Sequence, residues 1–314
     1  MENAIMTTAT QGEIAQSQEV RAGMFERFIA YLDASPKTIA TYKMAIRQLF
    51  NYLAENGIRR PLREDILAYR ESLKASGHKP STVSLYMVAV RLFFQWAKQE
   101  NLYPNVAEHI KGARLDKGHK RDYLTSRQVK AVMGGVDTSD VQGLRDYAIL
   151  ALMVTGGLRT IEVARANVGD LGTVGDSVVI FVQGKGHEER GDYVKIPPQT
   201  EKAIRDYLRA RGKVDRTAPL FASESHNSLG KRLSTRSISG MVKARMVEAG
   251  YSSDRLTAHS LRHTAVTLSL LAGKPLAEVS KFARHSSIAT TMIYNHSIEM
   301  ASNTCANAIA NAIF

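Results

Sequence analysis

Residues 257–296 read TAHSLRHTAVTLSLLAGKPLAEVSKFARHSSIATTMIYNH, and the remaining chain is organised around them. Thr257 can cap a helix and Ala258 can open its first turn. On that helix His259, Arg262 and His263 project to one side, with an apolar stripe of Leu261, Ala265, Leu268 and Ala272 roughly opposite. The pattern predicts a polar side that faces a groove, where first-turn N–H groups and Arg262 can hold a phosphate. Gly273 ends the helix and Pro275 follows it. A second helix over 276–284, apolar at Leu276, Val279 and Phe282, delivers His285 at its end. Tyr294 comes nine residues later, on a third short segment.

Taken singly, each residue has an ordinary reading. An isolated Tyr or His is usually a hydrogen-bonded or half-buried side chain. His259 and His263 stand four apart, as zinc ligands do, but Ser260 occupies the place of the Glu in H-E-x-x-H. No metal is expected. The joint pattern differs, because a nucleophile, phosphate binders and proton carriers lie within forty residues.

That pattern resembles the tyrosine recombinase (phage-integrase) family, whose catalytic set is Arg, Lys, His-x-x-Arg, His or Trp, and Tyr. HSLRHT carries His259 and Arg262, ARHSSIATTMIYNH carries His285 and Tyr294, and GGLRTIEV carries Arg159. The likeness runs from about Gln18 to the C-terminus. One departure is Arg284, where the family usually has Gly before the His. The resemblance implies a mainly α fold with a small β-hairpin or sheet. An N-terminal four-helix core-binding domain would precede an α+β catalytic domain. It also implies double-stranded DNA as partner, a homo-tetramer on two DNA sites, possible DNA-bending or excision accessory factors, and no cofactor or metal.

Composition bounds the same reading. The 314 residues suffice for two domains, and 44% are apolar. Net charge is +12, and 36–121 holds sixteen Lys and Arg against seven Asp and Glu. Such a balance points to a polyanion. Cys305 is the only cysteine, so neither an internal disulfide nor a cysteine metal site can form. The N-terminus lacks a basic segment followed by an apolar core. No apolar run approaches the roughly 20 residues that span a bilayer. A soluble, cytoplasmic protein, nucleoid-associated when on DNA, is expected.

Residues 1–17 lack periodicity and read as a tail. Helical patterns follow over 20–32, 37–55 (capped by Ser35 and Pro36), 63–75 and from Pro80 past Trp96. They make up a domain over 18–111, with Lys43, Arg47, Lys79 and Arg91 as candidate phosphate contacts. A linker over 112–124 adds Lys117, Lys120 and Arg121. The second domain, 125–298, opens with a helix capped by Thr125 and a core helix over 140–155, stopped by Gly156-Gly157. Arg159 and Glu162 then form an i,i+3 pair, read on spacing alone as a surface pair. The β-branched runs at 177–183 and 192–197 predict a hairpin. A helix over 198–211, a basic loop with Lys231, Arg232 and Arg236, and a helix over 237–249 complete it. The tail over 299–314 is an Ala-rich helix that packs on its own domain or, as the family implies, docks on a neighbouring protomer.

The resemblance assigns roles. Tyr294 is the nucleophile, Arg159 and Arg262 hold the phosphate, His259 helps take the phenol proton, and His285 braces the phosphate. Lys185, in the turn between the strands, is the general acid; nearby Lys195 competes for that place. The product is a 3′-phosphotyrosine link. A non-catalytic DNA-binding regulator and a type IB topoisomerase are the alternatives.

Overall fold

A computed structural model describes residues 20, 23–114, 122–184, 191–301 and 304–313. The tail over 1–17 and the candidates Lys117, Lys120, Arg121 and Lys185 lie outside the described residues. The chain divides into two compact units, 1–117 and 118–314.

The first unit holds α1 (Gly23–Tyr31), α2 (Pro36–Glu55), α3 (Arg63–Ala75) and α4 (Pro80–Gln99). Pro36 and Pro80 open α2 and α4, where their fixed φ suits the first helical residue and no N–H is missed. The Ser35 hydroxyl accepts the Thr38 N–H at 3.3 Å. Helix α4 buries Val83, Met87, Val90, Phe93, Phe94 and Ala97. Phe93 meets Phe28 and Phe50 edge-on at 5.4 and 5.5 Å between centroids. The chain after α4 is bound down by arginines: Arg63, Arg70 and Arg91 donate to the carbonyls of Glu108, Lys111 and Ile110.

The second unit runs α5 (Ser126–Gly134), α6 (Val141–Gly156), α7 (Thr160–Arg165), β1 (Leu171–Val174), β2 (Ser177–Val182), β3 (Asp192–Lys195) and α8 (Pro198–Arg211). It continues with α9 (Thr235–Glu248), α10 (Ala258–Leu271), α11 (Leu276–Ala283), α12 (Ile288–Ala301) and α13 (Cys305–Ile313). Thr125 caps α5, accepting the Gln128 N–H while the Gln128 side chain accepts the Thr125 N–H. The sheet is antiparallel in the order β1-β2-β3, with Leu171 opposite Ile180 and Ile180 opposite Val194. The mainly helical fold with a small sheet is as expected.

Three local expectations fail. The hairpin gains a third strand, β1, which the sequence does not announce: LGTV is short, carries Gly172 inside, and gives no clear alternation. Tyr294 sits on a helix of 14 residues rather than a short segment, since no Gly or Pro interrupts 286–301. The polar side of helix α10 is mostly covered: Ser260, Arg262, His263 and Thr264 are buried, and His259 is half-buried. Helices α6, α9, α11 and α12 pack around α10, and Ser260, Arg262 and Thr264 bond to backbone. The Thr264 hydroxyl, for example, accepts the Leu124 N–H at 2.9 Å. Among the described residues no helix is long and apolar enough to cross a membrane.

Candidate active site

Helix α6 stops at Gly156, and Gly157 turns the chain with φ +58°. A Cβ at Gly157 would come within 3.1 Å of the Phe282 ring, so glycine here permits both the turn and the approach of α11. Two residues on, Arg159 is the N-cap of α7. Its N–H donates to Glu162 Oε2 at 2.8 Å, its Nη1 to Oε1 at 2.7 Å, and its Nη2 to the Arg284 carbonyl at 3.0 Å. The Glu162 side chain is 0% exposed, so this is a buried pair and not the surface pair that spacing alone predicts. Burial alone would push the Glu162 carboxyl up, but Arg284 and Arg159 outweigh it and hold it below the usual carboxylate range.

Arg262 reaches the same place from α10. Its Nη1 donates to the Gly157 carbonyl at 2.7 Å and its Nη2 to the Ala283 carbonyl. Only 2% of the residue is exposed. Burial first, then the neighbouring Arg159 and Arg284, push its guanidinium down to about 10, while Glu162 and Tyr294 oppose that shift.

His285 follows Arg284, the C-cap of α11, which is left-handed at φ 53° and ψ 49°. His285 Nδ1 shares a hydrogen bond of 2.8 Å with Thr291 Oγ1. Burial, then Arg262, Arg159 and Arg284, push the imidazole down to about 4, so it is neutral near pH 7. Helix α12 places Thr291 and Tyr294 three apart on its inner face, 0% and 6% exposed. Tyr294 packs with Val266, Val279 and Ala283. Its ring stacks with His285 at 6.2 Å and 19°, and lies 5.0 Å from His263. His263 in turn meets His259 edge-on at 4.8 Å.

Arg159, Arg262 and His285 thus meet at the 283–285 turn, Tyr294 stacks on His285, and His259 joins through His263. The sequence by itself gives His263 no role. Its position directly after Arg262 and four residues from His259 is plain, but that spacing reads only as a zinc pattern. Among the described residues no group of three His, Cys, Asp or Glu could hold a metal.

The candidate DNA contacts divide. Lys43, Arg47, Lys79, Lys231 and Arg236 are exposed. Arg91 is half-buried and committed to Ile110. Arg232 donates to the carbonyls of Ala164 and Ala166 and to Asn167 Oδ1, which makes it a strut between the loop and the end of α7.

Residues 122–300 match the phage integrase family, and residues 25–101 match the phage integrase N-terminal SAM-like domain. The chain is 30% identical to the tyrosine recombinase XerC of Herpetosiphon aurantiacus over 86% of its own length and 89% of that protein. In fold it resembles the XerH site-specific recombinase solved on a palindromic difH substrate, with TM-score 0.71, 20% identity, and 86% and 80% of the two chains covered. It also resembles a lambda integrase dimer solved on a COC′ core site, with TM-score 0.69, 16% identity, and 85% and 96% covered. Neither the non-catalytic regulator nor the type IB topoisomerase is favoured by these likenesses. The chain belongs to the phage integrase family: it is a tyrosine recombinase, an enzyme that cuts and rejoins DNA strands.

Proposed function

We propose that Tyr294, Arg159, Arg262, His259, His285 and Lys185 carry out that reaction at one site, on double-stranded DNA. The observation that carries this reading is a convergence of side chains: Arg159, Arg262 and His285 meet at the 283–285 turn, and the Tyr294 ring stacks with His285. A phenol with an ordinary pKa of about 10 is a poor nucleophile near neutrality and needs an electrophile relieved of charge. Arg159 and Arg262 are permanently charged forks suited to the two non-bridging oxygens. They stabilise the added negative charge of the pentavalent transition state.

The Tyr294 oxygen attacks phosphorus, and its proton passes to His259 along the His263 side of the ring. The bond from phosphorus to the 5′ oxygen breaks, and Lys185 gives that oxygen a proton. The 3′-phosphotyrosine keeps the bond energy, and a 5′-hydroxyl from another strand reverses the step. Four protomers act on two DNA sites, and the apolar Ile309 and Ile313 of α13, 60% and 68% exposed, offer a surface for a neighbouring protomer. DNA-bending or excision factors would set direction, and the setting is the cytoplasm.

A nicked suicide duplex tests the reading. The wild-type chain should remain covalently attached to the 3′ end, and Tyr294→Phe should bind the duplex but leave no adduct. An adduct from Tyr294→Phe would remove the nucleophile assignment.

A further inference from the structure

We infer that Arg284 is a positioning residue of this site: its guanidinium shares the buried Glu162 carboxylate with Arg159, and its left-handed backbone presents the carbonyl that holds the other edge of Arg159. The inference rests on the catalytic reading of Arg159, His285 and Tyr294 given above.

Both terminal nitrogens of the guanidinium are engaged, while its Nε is buried without a hydrogen-bond partner among the described residues. Arg284 Nη2 lies 2.7 Å from Glu162 Oε2, and the two side chains are 10% and 0% exposed. The same nitrogen donates to the Gly157 carbonyl at 3.3 Å, and Nη1 donates to the Phe282 carbonyl at 2.9 Å. Gly157 O is also an acceptor for Arg262, and Arg284 O is the acceptor for Arg159 Nη2. Arg284 therefore links the Gly157 turn, the Glu162 carboxylate and the His285 turn, the three supports on which Arg159 and Arg262 rest.

Backbone shape makes the choice of residue informative. A left-handed cap ordinarily takes Gly, because a Cβ is disfavoured there. Among the described residues only Asn101, His109 and Arg284 combine a side chain with positive φ, and of these Arg284 alone is at the site. The strain is borne where a guanidinium has something to hold. Glu162 would otherwise divide both its oxygens between the Arg159 N–H and the Arg159 guanidinium. With Arg284 sharing Oε2, the negative charge of Glu162 is balanced by a second guanidinium, whose side chain is only 10% exposed. More of the positive charge of Arg159 is then left for a phosphate. Arg284 need not touch DNA to do this.

Single-turnover cleavage of the suicide duplex, measured beside DNA affinity at fixed salt and melting temperature, tests the inference. Arg284→Gly suits the cap and removes only the guanidinium. It should slow cleavage about tenfold while changing the dissociation constant less than about twofold. Arg284→Lys keeps a charge near Glu162 but loses the fork, and should fall between the two. The pair Arg284→Gly with Glu162→Gln should cleave no more slowly than Glu162→Gln alone, because the carboxylate through which Arg284 acts is gone. Wild-type cleavage by Arg284→Gly, or losses that multiply in the pair, would overturn the inference. If Arg284→Gly melts below the assay temperature, Arg284→Lys decides: a rate equal to wild type would overturn it. Absence of any adduct from the wild-type chain would instead sink the catalytic reading beneath it.

Discussion

The two units differ in where they bury charge. Between 23 and 114 the described core is apolar and aromatic, and the cations lie at the surface or tie carbonyls at its edge. Every buried charged residue among the described ones lies in the second unit: Arg145, Asp146, Glu162, Asp170 and Arg262. An exposed cation attracts DNA through a salt-screened field, and its geometry matters little. A buried one costs desolvation and is kept only when its partners fix it in place. Attraction needs number and chemistry needs position; the described buried charges are confined to the second unit, while exposed cations such as Lys43 and Lys231 occur in both.

Substitutions can break or sharpen that contrast. The largest effect belongs to Tyr294→Phe, which should remove the covalent product entirely on a denaturing gel while filter binding stays within about twofold of wild type. Next comes Glu162→Ala, which strips two guanidinium groups of their buried partner. It should cost about 3 kcal/mol of stability in urea melts, whereas the same change at an exposed acid such as Glu71 should cost far less. Replacing the exposed Lys43, Arg47 and Lys79 with Ala should weaken DNA binding and flatten its logarithmic salt slope by about 0.9 for each phosphate no longer neutralised. Cleavage by the fully bound triple variant should be unaltered, and a missing adduct at saturating protein would erase the division of labour.

A smaller effect is expected with pH. The imidazole of His285 sits at about 4 in the folded protein, below its ordinary value of about 6.5. The unfolded chain therefore binds this proton first. Stability from this group is complete above about pH 6.5, declines as the pH falls toward about 4, and changes no further below. His285→Gln should show a shallower decline across that window in melts at several pH values. Smallest of all is Arg27→Ala, which loses an exposed pair with Glu100 at 3.1 Å and a place over Trp96. It should change stability by about 0.5 kcal/mol.

Much of this arrangement can be read in the sequence because its signals are local. Ser35-Pro36 and Thr125 open helices by hydrogen bonds made within one turn, and Gly157 ends one by a conformation that few other residues adopt. The residues that surround Tyr294 are likewise visible as types at characteristic spacings. What spacing does not supply is which side of α10 is covered. A helix with Leu261 on one side and Arg262 on the other looks amphipathic until α6, α9, α11 and α12 enclose it. The burial of Glu162 is hidden for the same reason, since its second partner, Arg284, comes 122 residues later. His263 escapes notice because its neighbours are rings brought together by packing, a relation with no period along the chain.

With 6% of its surface open, Tyr294 is packed against Val266, Val279, Ala283 and the rings of His263 and His285. On the proposed reading of Tyr294 as nucleophile, a displacement of α12 would precede the cut, and each 1.4 kcal/mol or so that it costs would slow the reaction about tenfold. On that reading a lone copy would be slow to cut, and whatever contacts draw α12 aside would set the rate.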